Sequence, residues 1–258
     1  MTDHLTVDPR PLAGQRAIVS GASRGIGRHL ALALAAAGAD VALGARDADS
    51  LELARLEVEA LGVSALALPL DVASASSIRG FIDSAVDGLG GLDILVNNAG
   101  VLTAGSLLED GDAPWTRAMD TNVLGTVRMT EAAGHTLTSQ GHGKVVNIAS
   151  NFAFKGVPHH AAYCASKAAV VSFTRSIAVE WARYGVQVNA IAPGFIATDL
   201  NAEIRADEDR SKKVLRAVPA RRFGQVEDVS GVLLPLCLPT STFITGSVFT
   251  VDGGETAR

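Results

Sequence analysis

The chain has 258 residues, 48% hydrophobic and 19% charged, with 22 basic against 27 acidic side chains and a formal net charge of −5. Such a length can bury roughly 75% of its unfolded surface in one unit, and its acidic balance argues against a nucleic-acid-binding surface. Two cysteines, Cys164 and Cys237, exclude a disulfide framework and any CxxC metal site, and with aromatics at 5% the core must be Ala, Leu, Val and Ile.

The opening MTDHLTVDPRPLAGQ carries acids and prolines and lacks the apolar core of a signal peptide, so a cytoplasmic address is expected. Strands are expected at AIVS (17–20), VALG (41–44), ALAL (65–68), DILV (93–96), KVVNI (144–148), VQVNAI (186–191) and SVFTV (247–251). They are apolar on consecutive positions, as in strands covered on both faces. Helical patterns lie between them. Ile26, Leu30 and Leu34 recur at i, i+4, i+8, and Gly38 ends that helix. Residues 51–61 follow, with Asp49 and Ser50 as candidate N-caps and Gly62 as the stop. A third helix follows the serines at 74–77, a fourth spans about 114–137, and a fifth about 161–184. No apolar run reaches the roughly 18 residues of a membrane span, the run at 30–37 being stopped by Gly38. Strand–helix alternation over short connections predicts one α/β domain over 1–258 with a parallel sheet and right-handed crossovers. The polar stretch 201–213 is either a solvated helix face or part of a mobile lid at about 195–217.

Strand one runs into Ser20-Gly21-Ala22-Ser23-Arg24-Gly25-Ile26-Gly27. Glycines at 21, 25 and 27 permit a sharp turn into the helix and let backbone N–H groups approach a pyrophosphate at its positive end. The spacing is G-x3-G-x-G, not G-x-G-x-x-G. The same residues also fit the G-x-S-x-G nucleophile elbow, with Ser23 as nucleophile and His135, His142 or His159 as base. Only about twenty residues precede it, so the strand and loop that would donate an oxyanion hole are missing.

Tyr163 and Lys167 lie four apart in YCASK and therefore share a helical face. A phenol with a pKa of about 10 becomes a useful acid–base group near neutrality when an ammonium stabilises its anion. Ser150 ends strand five at the carboxyl edge of the sheet, where open α/β sheets bind ligands. On the pair alone, a surface Tyr/Lys contact is the plainer reading.

Together these motifs resemble the short-chain dehydrogenase/reductase family over nearly the whole chain. The resemblance rests on the glycine turn at 21–27, Asp71, Asn97-Asn98-Ala99-Gly100, Asn122, Ser150, Tyr163 with Lys167, Pro193-Gly194, and Val251-Asp252-Gly253-Gly254. Ser20 stands where the family usually has threonine. The 3-oxoacyl-carrier-protein reductases and the gluconate or glucose dehydrogenases are the most similar subgroups. The resemblance implies a Rossmann-like doubly wound sheet of about seven strands in the order 3-2-1-4-5-6-7, and hydride transfer between a ketone and a secondary alcohol. It implies that Tyr163 exchanges the proton with the substrate oxygen and Ser150 hydrogen-bonds that oxygen. Lys167 would hold the ribose hydroxyls and depress the tyrosine pKa, and Asn122 would position a relay water. Cofactor contacts are implied at Gly21, Ser23, Arg24, Gly25, Ile26, Gly27, Asp71, Val72, Asn98, Ala99, Gly100, Tyr163, Lys167, Pro193, Gly194, Ile196 and Thr198. Tetramers or dimers through the fourth and fifth helices and the C-terminal strand are implied as well.

The end of strand two bears on the cofactor. An acid there binds the adenosine 2′-hydroxyl of NAD, whereas a 2′-phosphate needs cations. Here stand Ala45 and Arg46, with Arg24 as a second cation, so NADP(H) is expected to be preferred, with NAD(H) possible. Asp47 could turn inward and repel the phosphate. Leu102, Asn151, Phe152, Phe154, Val157 and Phe195 are expected to line the substrate pocket, leaning toward hydrophobic ketones, although Asn151, His159 and His160 could bind hydroxyls. No metal site is expected, because His159 and His160 lack ligand spacing. Cys164 and Cys237 read as small core residues, Trp115 and Trp181 as packing or subunit contacts, and 221–224 as a structural corner. A non-catalytic nucleotide sensor would typically have lost the Tyr/Lys pair, which this chain keeps.

Overall fold

The computed structural model describes residues 9–257; the reading of the opening segment falls, for residues 1–8, outside the described residues. Seven strands, β1 (Arg16–Ser20), β2 (Asp40–Ala45), β3 (Ala65–Pro69), β4 (Ile94–Asn97), β5 (Gly143–Ile148), β6 (Val186–Pro193) and β7 (Val248–Val251), pair in parallel in the order 3-2-1-4-5-6-7. This is the order the resemblance implied. Strands β1 to β3 step one way and β4 to β7 the other, which opens a crevice between β1 and β4 at the carboxyl edge.

The helices are α1 (Gly25–Ala36), α2 (Ala48–Glu59), α3 (Ala75–Leu89), α4 (Ala113–Ala118), α5 (Gly125–Gln140), α6 (Ala161–Trp181), α7 (Ala202–Ala206), α8 (Glu208–Ala217) and α9 (Val226–Cys237). Apolar side chains fill both faces of the sheet, in two large clusters and a smaller one where Val170 and Val171 of α6 pack on Ala190 and Ala192 of β6. Leu30 and Leu34 of α1, Leu51 and Val58 of α2, and Leu233 of α9 pack on Val19 and Leu43. On the other face Ile78 and Phe81 of α3 and Met129 and Leu137 of α5 pack on Ile18 and Leu95. Each fully buried leucine or isoleucine contributes about 1.5–3 kcal/mol by removal from water. At the amino edge Asp93 ties β1 to β5: it accepts from the Arg16 guanidinium (2.8 Å) and from His142 (3.1 Å).

Three features differ from the sequence reading. The N-cap of α2 is Asp47, not Asp49 or Ser50, and it accepts from the Ser50 N–H at 3.1 Å. The long fourth helix is not uniform. It runs as α4, then a π-helical segment Met119–Leu124, then α5. Helix α9 escaped the sequence reading because Pro235 sits inside it; Gln225 and Asp228 form the capping box that would have revealed it. The 195–217 region is mostly helical, with α7 and α8 following a short 3₁₀ turn at Asp199–Asn201.

Candidate active site

The glycine turn is braced from β4. Buried Ser20 accepts the N–H groups of Asn98 and Ala99, both at 3.1 Å, so the hydroxyl standing in place of threonine keeps a structural purpose. The Asn98 amide donates to the carbonyls of Ser20 and Gly21, each at 3.1 Å. Gly27 fits beneath this bridge, since a Cβ there would press far inside contact with the Gly21 oxygen and the Asn98 amide. Gly25 serves differently: its φ of +57° is left-handed, and the space beside it is open as far as Thr198, 3.9 Å away. No side chain caps the N-terminus of α1. Its first N–H groups and positive end therefore face the crevice, an arrangement that fits a pyrophosphate.

At the end of β2, Ala45 is buried, and Arg46 and Arg24 are exposed and make no hydrogen bond or ion pair among the described residues. Asp47 is committed elsewhere. Its carboxylate accepts the Ser50 N–H and hydroxyl, which hold it below the ordinary value, and nearby Arg24 adds to the shift. The feared inward turn is absent, and two free guanidinium groups beside a capped carboxylate suit a 2′-phosphate. Asp71 folds the following loop back, accepting the Ala73 N–H and donating its own to Ser77, both at 3.0 Å, while Val72 lies buried against Gly125. Pro193 closes β6, the Gly194 N–H bonds the Val251 carbonyl at 2.9 Å, and buried Ile196 bridges to Gly224. Thr198 caps the 3₁₀ turn, and its reach to Gly25 sets the root of the 195–217 region against the glycine turn.

Ser150, Tyr163 and Lys167 meet at the carboxyl edge. Ser150 accepts the Phe152 N–H at 3.2 Å and caps the turn Asn151–Phe154. Lys167 is buried, donates to the Ile148 carbonyl at 2.8 Å, and lies 5.9 Å from the Tyr163 ring centroid. Burial lowers its pKa to about 8, so it remains largely charged at neutrality. Burial also pushes the Tyr163 phenol up, and the Ser150 hydroxyl, not Lys167, acts in the opposite direction. The depression expected from Lys167 is thus not seen in this arrangement; desolvation dominates and Ser150 alone opposes it. Asn122 sits in the π-helical segment, where it accepts the Val101 N–H (2.8 Å) and donates to the Val101 carbonyl and the Ser166 hydroxyl, both at 3.0 Å. A Cβ on Gly100 would lie 3.2 Å from Asn122 Oδ1 and 3.5 Å from Lys167 Nζ, so both groups border one small space.

Phe152 is the hub of the substrate side, edge-on to Tyr163 and His160 at 5.8 Å and to Phe195 at 6.1 Å. Val157 is half-buried, and Phe154 and Leu102 are exposed. Asn151 is buried and donates to Glu255 at 2.7 Å, so its amide N–H is committed within the fold. Glu255 also pairs with Lys155, whose ammonium lies 5.0 Å from the Phe152 centroid and 6.0 Å from that of Phe195. Sequence reasoning missed this pair, because the partners lie 100 positions apart and neither carries a local motif. Ser23 has no histidine bonded to it among the described residues. Arg222 pairs with Asp228 at 2.6 Å, which makes 221–224 the corner expected of it.

A family model described as Enoyl-(Acyl carrier protein) reductase matches residues 21–256. The 2-dehydro-3-deoxy-D-gluconate 5-dehydrogenase of Escherichia coli (strain K12) is 39% identical over 96% of this chain and 97% of its own.

The chain belongs to the short-chain dehydrogenase/reductase family.

The 3-oxoacyl-[acyl-carrier-protein] reductase of Synechocystis sp. is likewise 39% identical, over 94% of this chain and 97% of its own. Among solved structures, a gluconate 5-dehydrogenase from Burkholderia cenocepacia J2315 in complex with NADP and tartrate superposes with a TM-score of 0.92. It is 35% identical over 97% of this chain and 98% of that one. As a member of the short-chain dehydrogenase/reductase family, the protein is an NAD(P)-dependent oxidoreductase acting between alcohol and ketone. The hydrolase and sensor readings have no support in these similarities. Among the described residues no helix is long and apolar enough to cross a membrane.

Proposed function

We propose that the protein is a cytoplasmic, NADP(H)-preferring dehydrogenase/reductase of a small hydroxylated carbonyl compound, with Tyr163 as its acid–base residue. The observation that carries this reading is the convergence of Ser150, Tyr163 and Lys167 beside Gly100 and Asn122 at the carboxyl edge of the sheet. The nicotinamide, when bound, supplies or accepts hydride; the chain supplies orientation, charge and the proton. Reduction of a carbonyl builds negative charge on its oxygen. Ser150 donates a hydrogen bond there, and Tyr163, kept protonated by burial, delivers the proton. Lys167, whose ammonium lies 5.9 Å from the Tyr163 ring centroid, would stabilise the resulting phenolate in a site of low polarity, and Asn122 braces the wall on which Lys167 rests. Gly21, Ser23, Gly25, Ile26, Gly27, Asn98, Ala99 and Gly100 would hold the pyrophosphate and adenosine ribose. Arg24 and Arg46 would hold the 2′-phosphate, Asp71 and Val72 the adenine, and Pro193, Gly194, Ile196 and Thr198 the nicotinamide. Helices α7 and α8, exposed and polar, would act as the lid. A homotetramer or homodimer would give exposed Leu107, Leu108, Val179 and Phe243 a place to be covered.

The test is reduction of a ketone panel by NADPH, followed through the absorbance of the reduced nicotinamide. Tyr163→Phe lowers turnover about 10²–10⁴-fold. Retention of more than about a tenth of wild-type turnover removes Tyr163 as the acid, and failure of the wild type on every ketone and alcohol tried removes the reading itself.

A further inference from the structure

Lys155 and Glu255 form an ion pair whose two ends are unequally placed. The Glu255 side chain is 7% exposed and its oxygens are engaged by Lys155 and Asn151; the Lys155 side chain is 25% exposed. The more exposed end of the pair is therefore the ammonium, which also lies near the Asp252 carboxylate and lowers its pKa. It carries three N–H donors, of which Glu255 engages one. Its position over Phe152 and Phe195 is favourable for a cation against ring faces, and Phe152 in turn meets the Tyr163 ring. A buried carboxylate behind and two rings beneath fix this ammonium one ring removed from the reacting position, with donors to spare. A preset donor of this kind binds an anion by charge-assisted hydrogen bonding without first having to order a flexible lysine.

We propose that Lys155 is a specificity-determining residue that takes the carboxylate of an acidic substrate, with Glu255 and Asn151 as the positioning residues that aim it. The assignment rests on the oxidoreductase reading above and extends it to the distal end of the substrate. It also shifts the expected pocket from purely apolar to an aromatic wall with one positive head.

The experiment compares gluconate with glucitol, the same carbon chain carrying CH₂OH in place of the carboxylate. Each is scored as a substrate with NADP and as a competitive inhibitor of the ketone reduction proposed above. In the wild type, gluconate binds at least tenfold better than glucitol by KM or inhibition constant. Lys155→Met raises the gluconate constant tenfold or more, a larger factor than any change in the glucitol constant, and abolishes stabilisation by gluconate in thermal melts. Lys155→Arg restores gluconate binding. Should Lys155→Met misfold, the doubly neutral Lys155→Met/Glu255→Gln variant removes both charges together and reports the same loss of acid preference. Equal binding of gluconate and glucitol by the wild type overturns the proposal, as does an equal loss of both in the variant, which is the signature of a strap that merely holds the C-terminal turn. Failure of the underlying reading looks different, because no ketone is then reduced at all.

Discussion

The two walls of the cleft are built in different ways. The proposed dinucleotide wall is largely backbone: a strand end, a glycine turn and a helix start, braced from β4 by bonds between Asn98 and the Ser20–Gly21 turn. The substrate wall is assembled from side chains at Phe152, Lys155, Phe195 and Glu255, which come from separate parts of the fold. A wall made of backbone tolerates almost no added atom, whereas a wall made of side chains can be refaced one residue at a time. That contrast explains how one cofactor-binding half can serve relatives with names as different as gluconate and acyl-carrier-protein dehydrogenases or reductases.

The sharpest way to break this comparison is Gly27→Ala. Its new methyl must displace the Gly21 carbonyl or the Asn98 amide, and the expected cost is at least about 3 kcal/mol with loss of dinucleotide binding. Thermal melting and cofactor fluorescence titration read both. Phe154→Ala, on the exposed rim of the other wall, should stay within about 0.5 kcal/mol; similar losses at the two sites would erase the distinction.

Lys167, where the walls meet, gives a smaller effect tied to pH. Its pKa falls from 10.5 to about 8 on folding because burial disfavours the charge. Between those values the unfolded chain binds more protons than the folded one, so this group makes stability rise with pH from about 8 to about 10.5. Below pH 8 its charge is a full burden on the fold. Lys167→Met is therefore expected to be more stable than wild type by about 2 kcal/mol at pH 7, a net figure after loss of the bond to Ile148. The gap closes as pH approaches 10. Melting temperatures of both proteins at pH 7 and 10 check it, and a gap that widens with pH would contradict it.

The smallest effect sharpens the dinucleotide wall alone. Arg46→Asp should move the NADP-to-NAD preference toward NAD by at least about tenfold in kcat/KM, about 1.4 kcal/mol. The melting temperature should stay unchanged, since Arg46 is exposed and supports nothing around it. A shift in stability without a shift in preference would assign Arg46 to the surface.

The same contrast governs what could be read without coordinates. The strands and the glycine turn were legible because their signals are local: apolar runs, and glycines where a strand must bend into a helix. The strand order and the roles of Ser150, Tyr163 and Lys167 were legible only through the family resemblance, since spacing alone puts Tyr163 and Lys167 on one helical face and says no more. Asp47 as a cap was missed because its partner Ser50 was itself taken for the cap. The Asn151–Glu255 bond was not legible, because Glu255 arrives from the far end of the chain with no local motif. The raised pKa of Tyr163 was also illegible, since spacing shows the neighbouring ammonium and conceals the desolvation that sets the direction of the shift.

The π-helical segment Met119–Leu124 has a consequence for the way α4 and α5 are phased. A wider turn holds one residue more than a regular helix would, and successive residues of an α-helix are separated by about 100° of rotation. Removing that residue would let a regular helix re-form and swing everything N-terminal to it by about a quarter-turn. Trp115 would then face a different direction while Thr126 and Thr130 stayed in place. The segment works as a rotary offset: it lets Asn122 look toward Val101 and Ser166 while α5 keeps its own face on the sheet.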